Sequence, residues 1–269
     1  MNYMHDQLGW SAQACRQRID EEILRTRAKN MLSALEGYGW QWSEKRLLDV
    51  GAGQGGLLLE SLVRGADAYG AEPGQEFASL SRLRLKEAGF SPSRVLRAYA
   101  EALPFPNDSF DYVTSLQVLE HVQKPEGMLR EIHRVLKVGG LCFISTENYL
   151  SFYEPHYRVF WLPLLPKSIG SAYLGCLGRD SDFLKEYIHY TTYPQIWRLC
   201  RRTGFENLTY APFMKKLADP VRIRRKWLRF GSRLLGILPL PIAAAIVQGA
   251  KHLGNFARSG VEVHLLKAL

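Results

Sequence analysis

Nowhere does this 269-residue chain run for about 20 uncharged residues without a proline, the length a helix needs to cross a bilayer. An ordinary transmembrane helix is therefore not expected. The four cysteines, Cys15, Cys142, Cys176 and Cys200, form no CxxC pair. A disulfide framework, a thioredoxin-like redox motif and a zinc ribbon are excluded on that spacing, and reduced thiols in a cytoplasmic protein are expected. The N-terminal MNYMHDQLGW has neither the basic flank nor the apolar core of a secretory signal. Internal repeats and low-complexity tracts are absent as well.

Acidic residues are scarce in one place only. Residues 1–200 carry 22 Lys and Arg against 23 Asp and Glu. Residues 201–233 carry ten basic residues against Glu206 and Asp219, so most of the net charge of +9 sits in one segment. The basic balance thus points to a local contact rather than to a generally cationic surface.

What is present is an apolar fraction of 46%, enough for a proper core, arranged in an alternation of strand-like and helix-like stretches. Strands are expected at 46–50, 67–72, 94–99, 110–116, 141–146, 205–211 and 261–269. Helices are expected at 10–38, 55–64, 75–88, 125–136 and 193–203, with Gly139 and Gly140 in the left-handed conformation that stops the fourth of them. The sequence predicts an α/β domain with a mostly parallel sheet. Its parts are an N-terminal helical cap (1–45), a cofactor-binding core (46–146), an aromatic- and proline-rich lid (147–190) and an insertion (212–258) before the last strand.

The loop LLDVGAGQGG joins the first strand to a helix. Gly51 permits a tight turn, while Gly53 and Gly55 let a ligand approach the backbone without a Cβ in the way. Gly56 makes the run fit GxGxxG as well as GxGxG, so the loop alone suits a dinucleotide as readily as another nucleoside cofactor. Glu72, 21 residues beyond Gly51, ends the second strand where it can accept hydrogen bonds from ribose hydroxyls.

The order and spacing of LDVGAGQG, AEALPFPNDSFD, LEHV and LKVGG separate the two classes. From Arg46 to Thr146 the chain resembles the class I S-adenosylmethionine-dependent methyltransferases, more narrowly the branch that contains the ubiquinone and menaquinone methyltransferases. That resemblance implies a Rossmann-like, seven-stranded, mostly parallel sheet with helices on both faces and S-adenosylmethionine as cofactor. It also implies that Asp49, Gly51 and Gly53 hold the methionine part, that Glu72 binds the ribose, that Ala100, Glu101 and Ala102 flank the adenine, and that Gln117 lies beside the cofactor. One position departs from the pattern: many relatives carry an Asp where this chain has Tyr99. Tyr99 can stack on the base or bond to it, Glu101 can supply the acceptor, or Tyr99 can simply fill the strand end.

Methyl transfer to oxygen or carbon asks for alignment, exclusion of water and removal of a proton. No metal is expected, because no His, Asp or Cys cluster has ligand spacing in the sequence. Candidate catalytic groups are His121 in LEHV and His156 in the lid sequence FYEPHY, where Tyr153 adjoins and Glu154 can orient the ring; His189 is a third. His133, inside a helix, reads as structural. Phe152, Tyr153, Tyr157, Phe160, Trp161, Leu162, Leu164 and Leu165 predict an apolar vestibule for a hydrophobic or lipid-linked acceptor.

On a helical wheel, residues 221–235 place Arg222, Arg225, Lys226, Arg229 and Arg233 on one arc and Ile223, Trp227, Leu228, Phe230, Leu234 and Leu235 opposite. Such a helix can lie in a membrane interface, the reading that brings the protein to the inner face of the membrane through 221–250. It can equally pack its apolar face on its own domain. An RNA or protein methyltransferase that docks its substrate through the basic segment 215–233 is a further alternative, though nucleic-acid binding lacks a base-stacking motif elsewhere. A binding protein that keeps the fold without catalysis is the remaining alternative.

Overall fold

The computed structural model describes residue 9 and residues 11–23, 25–208 and 260–268. The segment 212–258, with its basic face, lies outside them. The helical cap comprises α1 (Ala12–Ile23) and α2 (Thr26–Glu36), followed by β1 (Arg46–Val50), α3 (Gly56–Val63), β2 (Asp67–Ala71), α4 (Gln75–Glu87), β3 (Val95–Leu96), β4 (Phe110–Leu116), α5 (Pro125–Val135) and β5 (Leu136–Glu147). The lid holds the hairpin β6 (Tyr153–Glu154) and β7 (Val159–Phe160), then α6 (Lys167–Cys176) and α7 (Asp182–Glu186). Next come α8 (Tyr193–Arg202), β8 (Phe205–Asn207) and β9 (Gly260–Lys267).

Seven strands form one sheet in the order β3-β2-β1-β4-β5-β9-β8. β1 pairs in parallel with both β2 and β4, β4 pairs in parallel with β5, and β9 runs antiparallel to β5 and β8. Parallel strands covered on both faces should be apolar throughout, and RLLDV is buried from Leu47 to Val50. Adjacent side chains point to opposite faces: Leu47 joins the core cluster that includes Leu32, Leu58 and Leu85, whereas Leu48 joins Met128, Ile132 and Ile196 on the other side. Each fully buried leucine contributes roughly 1.5–3 kcal/mol. The helices show the matching stripe, with Met128, Leu129, Ile132 and Val135 of α5 all buried behind Pro125 at its start.

The strand order reverses between β1 and β4, and open α/β sheets bind their ligands in the crevice beyond the strand ends at such a point. Both the glycine loop after β1 and the turn carrying His121 after β4 lie there.

Several expected boundaries differ. The helix at 10–38 is two helices, because Arg25 takes a left-handed conformation (φ 54°) that interrupts the hydrogen-bond ladder. The strand at 94–99 shortens to Val95–Leu96, leaving Tyr99 in a loop. LKVGG does not cap α5: Leu136 is already extended and opens β5, Gly139 takes φ 76° within that strand, and Gly140 is not left-handed. Gly140 is instead small of necessity, since a Cβ there would meet the Asp111 carbonyl at 3.0 Å. The strand at 205–211 ends at Asn207.

Candidate active site

The glycine loop is shaped by the protein at two positions and left open at one. Gly51 has φ 73°, and a Cβ on it would lie 2.2 Å from Val118 Cγ2. Gly55 has φ 76° as the residue before α3, and a Cβ on it would lie 2.2 Å from Ser81 Oγ. Gly55 is therefore constrained by packing against Ser81 of α4, a contact its spacing in the loop does not reveal. At Gly53 (φ 52°) a Cβ would meet nothing closer than the Gly51 carbonyl at 4.0 Å, so here the backbone faces open space. This is where a ligand can lie directly on the main chain.

Two carboxylates face this loop. Glu72 is buried at the end of β2; its Oε2 accepts from the Gly53 N–H and its Oε1 from the Gly74 N–H, both at 2.9 Å. Each oxygen keeps a second lone pair for a hydroxyl donor. Asp49 is buried at the end of β1 and accepts from Thr114 Oγ1 at 2.9 Å. Burial lifts its carboxyl to about 7, the Thr114 hydrogen bond works against that lift, and the Glu72 charge adds to it. A pair of buried acids with no ion pair to a basic group among the described residues suits a ligand carrying an ammonium group and a diol, the two polar ends of S-adenosylmethionine. Beyond β3, Tyr99 is 71% exposed, so it does not fill the strand end, while Ala100 is buried and Glu101 half-buried. Arg97 donates to the Pro73 carbonyl at 3.4 Å and ties this loop to the one after β2.

After β4 the chain turns sharply. Gln117 adopts φ 57°, uncommon for a residue other than glycine, and is held there by its N–H donating to the Ser145 carbonyl at 2.7 Å. With its amide oriented by its partners, Gln117 donates to Glu120 Oε1 at 3.0 Å and to Glu147 Oε1 and accepts from Ser145 Oγ at 3.2 Å. Glu120 is fully buried and also accepts from Thr146 Oγ1 at 2.7 Å. Burial, then the Glu120 charge beside it, lifts Glu147 to about 7, with His156 acting in the opposite sense.

The segment 147–190 brings a second group of polar side chains beside this turn. Glu154, fully buried, accepts from the Tyr157 N–H at 2.6 Å, from Tyr149 Oη at 3.2 Å, and faces His156 Nδ1 at 2.8 Å. Burial alone would lower the His156 pKa; the Glu154 hydrogen bond and the charges of Glu154, Glu120 and Glu147 outweigh it, and the pKa is raised. His121 Nδ1 lies 2.8 Å from the Tyr187 carbonyl, an acceptor only, so the ring donates through Nδ1. The His189 N–H returns a bond to the Glu120 carbonyl at 2.7 Å. These two bonds strap the lid to the turn that carries Glu120 and His121.

His121 and His156 thus meet, their ring centroids 5.7 Å apart and edge to face, with Phe183 against both. Glu120, His121 and His156 offer one donor atom each within 4.8 Å of one another, a convergence that the sequence spacing did not reveal. His189 contributes its backbone to this arrangement. His133 packs edge to face against Phe205, with ring centroids 5.1 Å apart. The aromatic lid does not form one vestibule: Tyr157 and Trp161 are sealed inside a small core with Tyr149, Leu174, Leu184 and Ile188, whereas Phe152, Tyr153, Phe160, Leu162 and Leu164 are exposed. The groups missed from sequence are Glu120, Glu147 and Tyr149; the first lies beside His121 in LEHV, and the others border Asn148 in TENY.

Residues 48–144 match the family described as methyltransferase domain. The ubiquinone biosynthesis O-methyltransferase of Pseudomonas fluorescens is 41% identical over 189 residues, which cover 66% of this chain and 75% of that protein. Among solved structures, an S-adenosylmethionine-dependent methyltransferase from Mesorhizobium loti superposes with a TM-score of 0.54 at 18% identity, covering 87% of this chain and 96% of its own. Phosphoethanolamine N-methyltransferase 2 of Haemonchus contortus, in complex with phosphomonomethylethanolamine and S-adenosylhomocysteine, gives 0.55 at 20% identity over 90% of this chain and 53% of its own. The structures share the fold; the identity to the Pseudomonas enzyme over three quarters of its length goes further, and the chain belongs to the methyltransferases that use S-adenosylmethionine as cofactor.

Proposed function

We propose that this enzyme methylates a hydroxyl group on a small, ring-bearing, largely apolar acceptor, with His156 as the base and His121 holding the acceptor from the opposite wall. The observation that carries this reading is the approach of the two imidazoles at the switch-point crevice, each with Nδ1 engaged behind it. When bound, S-adenosylmethionine supplies a methyl group on a sulfonium. Asp49, the Gly53 backbone and Glu72 hold its polar ends, and Glu101 with Tyr99 borders the adenine. The chain's remaining task is to place the acceptor oxygen in line and take its proton. In the neutral Nδ1–H form, His156 carries its basic lone pair on Nε2. The named activity of the Pseudomonas relative favours oxygen over nitrogen or carbon as the accepting atom.

The reading extends to where the acceptor is met. Among the described residues no helix is long and apolar enough to cross a membrane. A peripheral contact is supported by the exposed Phe152, Phe160, Leu162 and Leu164 of the lid and by the cationic and apolar arcs of 221–235 in the sequence. An apolar acceptor dissolved in a membrane would be reached this way.

The test is transfer of labelled methyl from S-adenosylmethionine to 4-octylcatechol, with and without anionic liposomes. The expected result is methyl transfer by the wild type, its loss in His156→Gln, and co-flotation with the vesicles. Salt-sensitive RNA binding with no affinity for vesicles would favour the nucleic-acid reading instead.

A further inference from the structure

Glu154 lies outside the glycine loop and the seven-stranded sheet, yet it is among the most enclosed carboxylates of the described chain. Leaving an ionised carboxylate unpaired in such a place would be costly, so its bonding partners explain why it is tolerated. Three groups surround it: the main-chain N–H of Tyr157, the phenol of Tyr149 and Nδ1 of His156. They come from two points of the chain, since His156 and Tyr157 are consecutive. Tyr149 follows β5, His156 sits between the strands of the lid hairpin, and Tyr157 is buried in the lid's own core. This one carboxyl group joins the hairpin turn to the chain after β5 and holds the imidazole beside both.

An ionised carboxylate accepts and cannot donate, so the ring nitrogen facing Glu154 carries the proton. We infer that Glu154 is a positioning residue: it holds His156 as the Nδ1–H tautomer with the basic nitrogen toward Glu120 and His121, and Tyr149 and the Tyr157 N–H hold Glu154 in turn. This rests on the reading of His156 as the base and adds how that base is oriented. Folding of the lid and orientation of the base are then a single event, because the same carboxylate does both. The arrangement follows the general logic of a base oriented by a buried acid, in which the amide replacement keeps the shape but supports the wrong tautomer. In Glu154→Gln the amide oxygen can take the Oε2 place and still receive the Tyr157 N–H, which leaves the NH2 in the Oε1 place, facing both the ring and the Tyr149 oxygen, which then accepts. His156 Nδ1 must then accept, its proton moves to Nε2, and the lone pair no longer points into the cleft.

The experiment is nitrogen NMR of the full chain labelled with 15N-histidine at pH 9, with the His156 resonance assigned by His156→Gln. The wild type is expected to show Nδ1–H, Glu154→Asp to retain it, and Glu154→Gln to shift the ring to Nε2–H. Transfer to 4-octylcatechol should fall by about 10²- to 10⁴-fold in kcat for Glu154→Gln, with KM for S-adenosylmethionine within about twofold. A wild-type ring protonated on Nε2 overturns the proposal even if Glu154→Gln fails to fold. So does Glu154→Gln that keeps both the tautomer and kcat while His156→Gln is inactive. Full activity in His156→Gln would instead remove the assignment of the base, an outcome separate from the tautomer result.

Discussion

Glu72 Oε2 and the Gly53 N–H are 2.9 Å apart, so the carboxylate expected to meet the ribose is also the strut that holds the cofactor loop in place. The two roles separate by substitution. Glu72→Gln keeps one oxygen for one loop N–H and turns its NH2 on the other, so S-adenosylmethionine affinity should fall about tenfold and stability by about 1 kcal/mol. Glu72→Ala frees both Gly53 and Gly74, and stability should fall further, by about 1–3 kcal/mol for the two part-buried donors left without this acceptor. Calorimetric titration beside denaturant unfolding reads both quantities.

The three left-handed glycines of the loop should respond in two different ways. Gly53→Ala places a methyl group in open space and should leave a folded protein, at a backbone cost of about 1–2 kcal/mol, that binds S-adenosylmethionine poorly. Gly51→Ala drives that methyl into Val118 and Gly55→Ala drives it into Ser81, adding about 1–3 kcal/mol of overpacking to the same backbone cost. Ser81→Gly should recover part of the Gly55→Ala loss. Unfolding curves for the single and double variants test this; a Gly55→Ala protein of normal stability that binds no cofactor would return Gly55 to the ligand.

Glu120, His121 and His156 lie close enough to meet a divalent cation, and the reading here gives them an acceptor and its proton instead. Dialysis against EDTA should therefore leave the rate of methyl transfer unchanged, and His121→Ala should raise KM for the acceptor more than it lowers kcat. Loss of activity on chelation that Mg²⁺ or Zn²⁺ restores would show that a metal aligns the acceptor.

How far the sequence revealed this site depends on the kind of information required. The alternation of Leu47 and Leu48 between faces and the stripe of α5 are local periodicities, and the sheet follows from them. Asp49, Gly53 and Glu72 were legible because strand ends and a glycine loop put them at the switch point. By contrast, the role of Gly55 depends on Ser81 from another helix, and the break at Arg25 depends on one backbone angle. The meeting of His121 with His156 needed the lid to fold back over 35 residues of chain, and neither FYEPHY nor LEHV says where the other lies. The same holds for Tyr157 and Trp161: their apolar character was plain, but whether they faced a ligand or each other was a matter of tertiary packing.

Asp49 provides the last prediction, because its proton should couple cofactor binding to stability. Its carboxyl titrates near 7 in the folded chain against 3.8 for the ordinary group, chiefly because it is buried. Between those values the unfolded chain has lost the proton that the folded chain keeps, so the folded state binds more protons and stability falls as pH rises. The slope is at most about 1.4 kcal/mol per pH unit from this residue, and it flattens above pH 7. A cationic ammonium beside Asp49 favours the ionised form, so the stabilisation by S-adenosylmethionine should be larger at pH 8 than at pH 5.5. Asp49→Asn should remove much of both effects; Glu147, also near 7, retains a share of the first. Melting temperatures across this range, with and without cofactor, measure the coupling, and a cofactor shift in the wild type that does not vary with pH would show that the ammonium is held elsewhere.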